Sequence, residues 1–151
     1  MFNRTKLFIF VVFATIGSCL APTFHIFTDP SECVIIAKDL KITVKQSQQS
    51  KCIVATTHSV EAVSVLKQDN RVVIQQRAQT QSCETIEVSL PTTCKLSCYM
   101  TNESNVEVTN DSTETLAPLS LNLFNGGTVT VKNGTYASYN VTIQGLGDII
   151  M

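Results

Sequence analysis

The sequence predicts an all-β fold, and more narrowly a β-solenoid, because of three features of residues 116–151. Apolar residues alternate with polar ones in three short bursts, and a period of two is typical of half-buried strands. Asn-Gly and Gly-Gly pairs separate the bursts and predict tight turns. Leu121 and Val141 occupy equivalent positions in the first and third bursts, with one burst between them. That spacing predicts coils of two strands, each burying its apolar edge by stacking on the next.

The same bursts predict which side chains form the core. The residues expected to point inward and to stack in columns are Leu121, Val129, Val131, Val141 and Ile143. Successive side chains of a strand point to opposite faces. The residues between them are therefore expected to face solvent: Asn122, Thr130, Lys132 and Thr142.

Composition favours strands over helices and excludes one class of partner. The chain has 151 residues, enough for one domain after a leader. Charged residues make up 15%, the formal net charge is −1, and no basic run indicates a nucleic-acid-binding surface. The abundant Val, Ile and Thr suit half-buried strands. No helical period extends over about ten residues or more.

Residues 1–21 are predicted to be an export signal. Arg4 and Lys6 give a positive start, and residues 7–16 form an apolar run whose only polar member is Thr15. Such a run is too short to cross a bilayer but has the length of the apolar part of a signal peptide. We therefore expect residues 22–151 to be one exported domain without a membrane span. Its expected location is the periplasm, the outer-membrane surface or the exterior of the cell.

Two ways of processing this leader stay open. Residues 16–19, Ile-Gly-Ser-Cys, resemble a bacterial lipobox, in which the cysteine becomes the acylated first residue. Cys19 is then a lipidation site and an anchor. The alternative is ordinary signal-peptidase cleavage between Gly17 and Ala21. Cleavage directly after Ala21 is disfavoured because Pro22 follows it.

Six cysteines are present, and in an oxidising compartment some of them are expected to pair. Cys94 and Cys98 are expected not to bond to each other. Four residues of extended chain span about 13 Å, whereas a disulfide needs Cα atoms within about 7 Å. A metal site is not expected, because His25 and His58 are remote in sequence from these thiols.

The remaining elements follow the same period-two pattern from the start of the predicted domain onwards. Strands are predicted at 22–28 on the domain edge, then at 33–37, 40–44, 52–56, 60–66, 72–75, 86–90, 94–100 and 106–108. The short connections in the first half predict that neighbours in sequence pair as antiparallel neighbours. Residues 76–82 are expected to link the two halves, and residues 109–118 to form a surface loop.

Five segments in this order resemble the head GIN domain of the "putative auto-transporter adhesins", a bacterial exported domain. Over residues 24–150, the family's pattern is echoed by Cys33-Val34-Ile35-Ile36, Ile42-Thr43-Val44-Lys45-Gln46, Arg71-Val72-Val73-Ile74, Ile86-Glu87-Val88-Ser89-Leu90-Pro91 and Gly145-Leu146-Gly147-Asp148-Ile149. The resemblance implies a right-handed β-helix-like fold, export and a role in surface interaction. It implies no catalytic residues. The chain departs from the pattern in having more cysteines and fewer glycine-marked coils.

Function is accordingly predicted to be non-enzymatic, without a catalytic, metal or cofactor site. We expect an adhesin-like module that binds a protein or a glycan at a surface. The alternative is a structural or accessory envelope lipoprotein, held by an acylated Cys19 and without a ligand of its own. A carbohydrate-processing enzyme would require carboxylates clustered on one face, and the acidic residues are scattered singly along the sequence.

The end of the last coil is predicted to be an interaction edge. Asp148 to Ile150 is expected to form the terminal strand, with Ile149 and Ile150 as its apolar residues. An uncovered edge strand presents unpaired backbone groups that recruit another strand. We therefore expect self-association, or strand addition by a partner, at this edge.

Overall fold

The computed structural model describes residues 21–80 and 84–151. These residues form 15 strands joined by turns and loops, and the described part contains no helix. The all-β fold predicted from the sequence is confirmed. The expected leader lies outside the described residues except for Ala21, and Cys19 and Cys83 also lie outside them.

The strands of the first half are β1 Thr23–Thr28, β2 Glu32–Ala37, β3 Lys41–Ser47, β4 Lys51–Thr56, β5 Val63–Gln68, β6 Arg71–Gln76 and β7 Ile86–Pro91. Those of the second half are β8 Lys95–Thr101, β9 Asn105–Asn110, β10 Thr115–Leu116, β11 Leu119–Phe124, β12 Thr128–Lys132, β13 Thr135–Tyr136, β14 Tyr139–Gln144 and β15 Asp148–Ile150.

The described residues form three sheets. A seven-stranded sheet has the order β1-β4-β7-β3-β9-β12-β15, and a six-stranded sheet has the order β14-β11-β8-β2-β6-β5. Strands β10 and β13 form a third, two-stranded sheet. Alternate side chains of the two large sheets point into one hydrophobic core, which includes Cys33, Ile74, Leu96 and Leu121.

The second half is built from a parallel three-strand repeat. We call β8–β10 repeat 1, β11–β13 repeat 2 and β14–β15 repeat 3. Leu96 of repeat 1 pairs with Leu119 of repeat 2. Leu119 pairs in turn with Tyr139 of repeat 3. Each strand of repeat 1 therefore lies beside its equivalent in repeat 2, and the two strands of repeat 3 lie beside β11 and β12.

The repeat corrects two expectations. Coils of two strands were expected, but the short strands β10 and β13 add a third, with Leu116 paired to Tyr136. Residues 109–118 were expected to be a surface loop, but they contain β10, and its Leu116 is buried. A strand of two residues is too short to show an alternation of apolar and polar residues in the sequence.

The first half corrects a third expectation. Among its strands only β5 and β6 are both consecutive and antiparallel partners. Strand β2 pairs in parallel with β6 and β8, and β3 pairs in parallel with β7 and β9. Most turns in this half carry the chain from one large sheet to the other, so most pairing partners come from other passes of the chain. The exceptions are β3 and β4, both in the seven-stranded sheet, and β5 and β6, both in the six-stranded sheet. The expected edge position of the first strand is confirmed, because β1 is an outer strand of the seven-stranded sheet.

Asn and Gly residues lie at the corners between strands, where the backbone must adopt a conformation that most residues avoid. Asn102, Asn125 and Gly145 follow directly on the paired residues Thr101, Phe124 and Gln144 of the three repeats, and all three have positive φ. Asn tolerates this left-handed conformation better than most residues do, and Gly adopts it freely. A Cβ on Gly126 would overlap the backbone oxygen of Asn102, so the close stacking of these corners requires glycine there.

Candidate functional site

The strands of repeat 3 form the end of both large sheets, which we call the open end. Strand β14 pairs with β11, and β15 pairs with β12; neither has a second neighbour among the described residues. Tyr139, Val141 and Ile143 on β14 are 44%, 45% and 45% exposed, and Ile150 on β15 is 56% exposed. Two edge strands with exposed apolar side chains, one from each large sheet, thus lie at the same end of the molecule.

This exposure corrects the expected burial of Val141 and Ile143. Both residues lie in the predicted columns, because Val141 pairs with Leu121 and Ile143 pairs with Leu123. The other three predicted core residues, Leu121, Val129 and Val131, are buried. Val141 and Ile143 remain accessible because only one side of β14 is covered by another strand.

The two residues predicted to form the terminal edge differ in their burial. Ile149 pairs with Val129 and packs against the core, whereas Ile150 pairs with Thr130 and is exposed. Asp148, at the start of β15, donates its backbone N–H to the carbonyl oxygen of Gly127 at 3.0 Å. Strand β15 therefore continues the backbone pairing of β12, and Ile150 belongs to the open end.

A second feature is a cavity near β5, toward the opposite end of the sheets. It has a volume of about 380 Å³, and its polar lining includes His25, His58, Glu61 and Arg77. His25 and His58 lie 33 residues apart in the sequence, and no motif joins them. The pairing of β1 with β4, which sets His25 opposite Val54, brings them to one cavity. No local sequence signal predicts that pairing.

His58 is a buried polar side chain of this cavity, and it contacts an acidic residue. Its Nδ1 lies 2.9 Å from Oε2 of Glu84, and its side chain is almost fully enclosed. Burial lowers the pKa of His58, and the nearby Glu84 carboxylate opposes that effect. Apart from this contact between Nδ1 and Glu84, neither ring nitrogen of His58 has a hydrogen-bond partner among the described residues.

The cysteines of the described part are free thiols, so the expected pairing of some cysteines is not seen among them. Cys33, Cys52, Cys94 and Cys98 are all buried. Within residues 21–80 and 84–151, no group of three or more His, Cys, Asp or Glu side chains is placed to bind a metal ion. No helix in those ranges is long and apolar enough to span a membrane.

Comparisons with known proteins find similar structures but assign the chain to no family. No protein-family model matches the sequence, and the head GIN domain is not confirmed. No curated protein matches it either. Among solved structures, a putative cell adhesion protein from Clostridium sporogenes is 10% identical, with a TM-score of 0.44, over 85% of this chain and 97% of that chain.

Two further similar structures come from Parabacteroides distasonis. A putative adhesin is 12% identical, with a TM-score of 0.43, over 86% of this chain and 64% of that chain. A putative lipid binding protein is 10% identical, with a TM-score of 0.45, over 85% of this chain and 68% of that chain. Because these TM-scores lie below 0.5, the similarity assigns neither a fold family nor a function to this chain.

Proposed function

We propose that this chain is an exported, non-enzymatic interaction module of the β-solenoid type, which binds a protein strand at its open end. The parallel repeat, in which Leu96, Leu119 and Tyr139 pair in succession, supports the solenoid assignment. The apolar run at residues 7–16 behind Arg4 and Lys6 supports export. The open end is the single observation that carries the binding function.

Strand addition is the binding mode that this surface favours. An edge strand offers unpaired N–H and C=O groups, and an added strand gains backbone hydrogen bonds from them. At the open end, β14 and β15 are both edge strands, and they belong to different sheets. The exposed Val141, Ile143 and Ile150 add apolar area that a partner would remove from water.

The partner we propose is the opposite end of a second copy of this chain. Strand β1 is antiparallel to β4, and β4 is antiparallel to β7, so β1 runs in the same direction as β7. Strand β7 is connected to β15 through the parallel strands β3, β9 and β12. A second copy's β1 can therefore extend the seven-stranded sheet beyond β15 in parallel.

The apolar residues of the two ends also match. Strand β1 exposes Phe24 and Ile26, which are 63% and 60% accessible, and β15 exposes Ile150. When the two strands lie side by side, these residues share the outer face of the extended sheet. Such a contact joins two different surfaces, so it generates a head-to-tail assembly rather than a closed two-fold dimer.

Sedimentation velocity of the full chain, expressed with its leader and purified after export, tests the proposal. We expect the sedimentation coefficient to rise with protein concentration. Ile150→Lys at the open end and Phe24→Lys at the opposite end should each abolish that rise, because each places a charge in the contact. The matched control is Tyr99→Lys, at an exposed side chain on the central strand β8, which should assemble like the wild type.

Three outcomes overturn the proposal. One is a wild-type chain that is monomeric at every concentration. Another is an assembly that withstands both Ile150→Lys and Phe24→Lys, since the contact must then lie elsewhere. The third is a monomer that binds glycans on an array with unchanged affinity after Ile150→Lys, which would assign surface interaction to another face and another class of ligand.

A further inference from the structure

Four fully buried cysteines lie in one core. Cys33 is on β2 and Cys98 is on β8, both in the six-stranded sheet, and Cys52 is on β4 of the seven-stranded sheet. Cys94 lies in the turn just before β8. All four side chains are 0% exposed and belong to the same hydrophobic cluster. The core therefore holds thiols from both sheets.

Backbone hydrogen bonds bring three of these cysteines to one corner of the molecule. The N–H of Asp29 donates to the carbonyl oxygen of Ser50 at 2.8 Å, and the N–H of Lys95 donates to that of Ser31 at 3.0 Å. Cys33 follows Ser31 by two residues, Cys52 follows Ser50 by two, and Cys94 directly precedes Lys95. The chain segments entering β2, β4 and β8 are thus tied together beside their cysteines.

Side-chain contacts distinguish between the partners available to Cys33. The proximity of the Cys52 side chain, followed by burial, raises the pKa of the Cys33 thiol well above its ordinary value. Cys94 meets Cys33 through the backbone instead, and its Sγ lies 3.7 Å from the carbonyl oxygen of Lys95. The backbone hydrogen bonds at this corner and the dominant effect of Cys52 on the pKa of Cys33 together favour Cys52 as the partner of Cys33.

We infer that Cys33 and Cys52 are joined by a disulfide bond when the chain folds in an oxidising compartment. The bond would link the six-stranded sheet to the seven-stranded sheet across the core. The inference depends on the proposed export only for where the oxidant is found. Cys94 and Cys98 stay thiols, because each lacks a side-chain contact with another sulfur that compares with the Cys33–Cys52 contact.

The bond forms by thiol–disulfide exchange with a small disulfide or a disulfide oxidoreductase. The thiolate of one cysteine attacks the oxidant's S–S bond, forms a mixed disulfide and releases one thiolate of the oxidant. The second cysteine then attacks the mixed disulfide and releases the other. In sum, Cys33 and Cys52 lose two protons and two electrons, and the oxidant is reduced to two thiols.

Exchange must take place during folding, before the core closes. In the folded chain, burial raises the pKa of Cys94 and of Cys98 to about 12, and Cys33 is shifted in the same direction. Such thiols carry almost no thiolate, which is the reactive form. A chain that folds under reducing conditions would therefore keep all four thiols, which are inaccessible to oxidants added later.

Peptide mapping of the exported chain, with free thiols alkylated in denaturant before non-reducing trypsin digestion, tests the pairing. Lys38 and Lys51 separate Cys33 from Cys52, and Lys95 separates Cys94 from Cys98. We expect one cross-linked pair of peptides holding Cys33 and Cys52, lighter by two hydrogens than the two thiol peptides together. Cys94 and Cys98 should be recovered alkylated.

Refolding the purified chain with glutathione disulfide separates this inference from the proposed export. If refolding yields the Cys33–Cys52 bond but the chain made in cells lacks it, the pairing stands and export is wrong. If Cys33 or Cys52 is alkylated, or bonded to another cysteine, after oxidative refolding to the native fold, the inference is overturned.

Paired variants give a second readout. Cys94→Ser and Cys98→Ser should leave the cross-link in place, whereas Cys33→Ser should leave Cys52 alkylated. The oxidised wild type should melt higher than the chain folded under reducing conditions, by roughly 10 °C for a closed loop of this length. Equal melting of the two forms, with the bond present only in one, would show that it does not stabilise the fold.

Discussion

Strands β11 and β14 carry the same alternating pattern and pair with each other in register, yet they differ in burial. Leu121 on β11 is fully buried, whereas its partner Val141 on β14 is 45% exposed. Strand β11 has β8 on its other side, and β14 has no second neighbour among the described residues. The local sequence decides which side chains of a strand point toward the core. Whether those side chains are fully buried depends on whether the strand has a neighbour on both sides.

The two strands should differ most in the stability that is lost when one of their paired side chains is truncated to alanine. Leu121→Ala removes a fully buried side chain and leaves a cavity, so it should lower the free energy of unfolding by about 2–5 kcal/mol. Val141→Ala, in the same column, removes less area and leaves no closed cavity, so it should cost below about 1 kcal/mol. Urea unfolding of both variants measures this; equal losses would show that repeat 3 is covered as repeat 2 is.

Sequence reasoning predicted the strands of this molecule better than their partners. Alternation located residues such as Leu121, Val129 and Val131 correctly, because period-two patterning is a local property. It also assigned Val141 and Ile143 to the core, since exposure at the end of a sheet leaves no mark on the strand itself. The strand partners of β2, which are β6 and β8, come from distant passes of the chain and have no local signal.

The candidate sites show the same limit. The edge at Ile149 and Ile150 could be proposed from the Gly-rich turn before it, and β15 does lie at a sheet edge. The contribution of β14 to the open end was missed, because Val141 and Ile143 were assigned to the core. The meeting of His25 and His58 at one cavity depends on the pairing of β1 with β4, which no motif encodes.

An intermediate loss of stability is expected when the hydrogen bond between β13 and β3 is removed. The hydroxyl of Tyr136, on β13, donates to Oε1 of Gln46, on β3, at 2.6 Å, and both residues are buried. Tyr136→Phe leaves that acceptor without its donor and should cost about 1–3 kcal/mol. Tyr99→Phe, at an exposed side chain, is the control and should change chemical unfolding little. A Tyr136→Phe variant as stable as the control would contradict the buried hydrogen bond.

The smallest expected effect on stability comes from His58, at the end of the molecule opposite the open end. Because burial lowers the pKa of His58 in the folded chain, the unfolded chain binds its proton more readily. Stability should therefore fall as the pH drops below about 6.5, the ordinary pKa of histidine. His58→Gln should flatten this part of the pH–stability curve, as measured by denaturant midpoints between neutral and mildly acidic pH. An unchanged slope would mean that His58 is not the group responsible.

Hydrogen exchange read by mass spectrometry, at low and at high protein concentration, tests most directly whether the open end is uncovered in the monomer and covered on assembly. In dilute protein, amides of β14 and β15 should exchange faster than those of β11 and β12. At high concentration the exchange of β14 and β15 should slow, while that of β11 and β12 stays unchanged. Protection of β14 and β15 that equals that of β11 and β12 in dilute protein, with no dependence on concentration, would contradict the account.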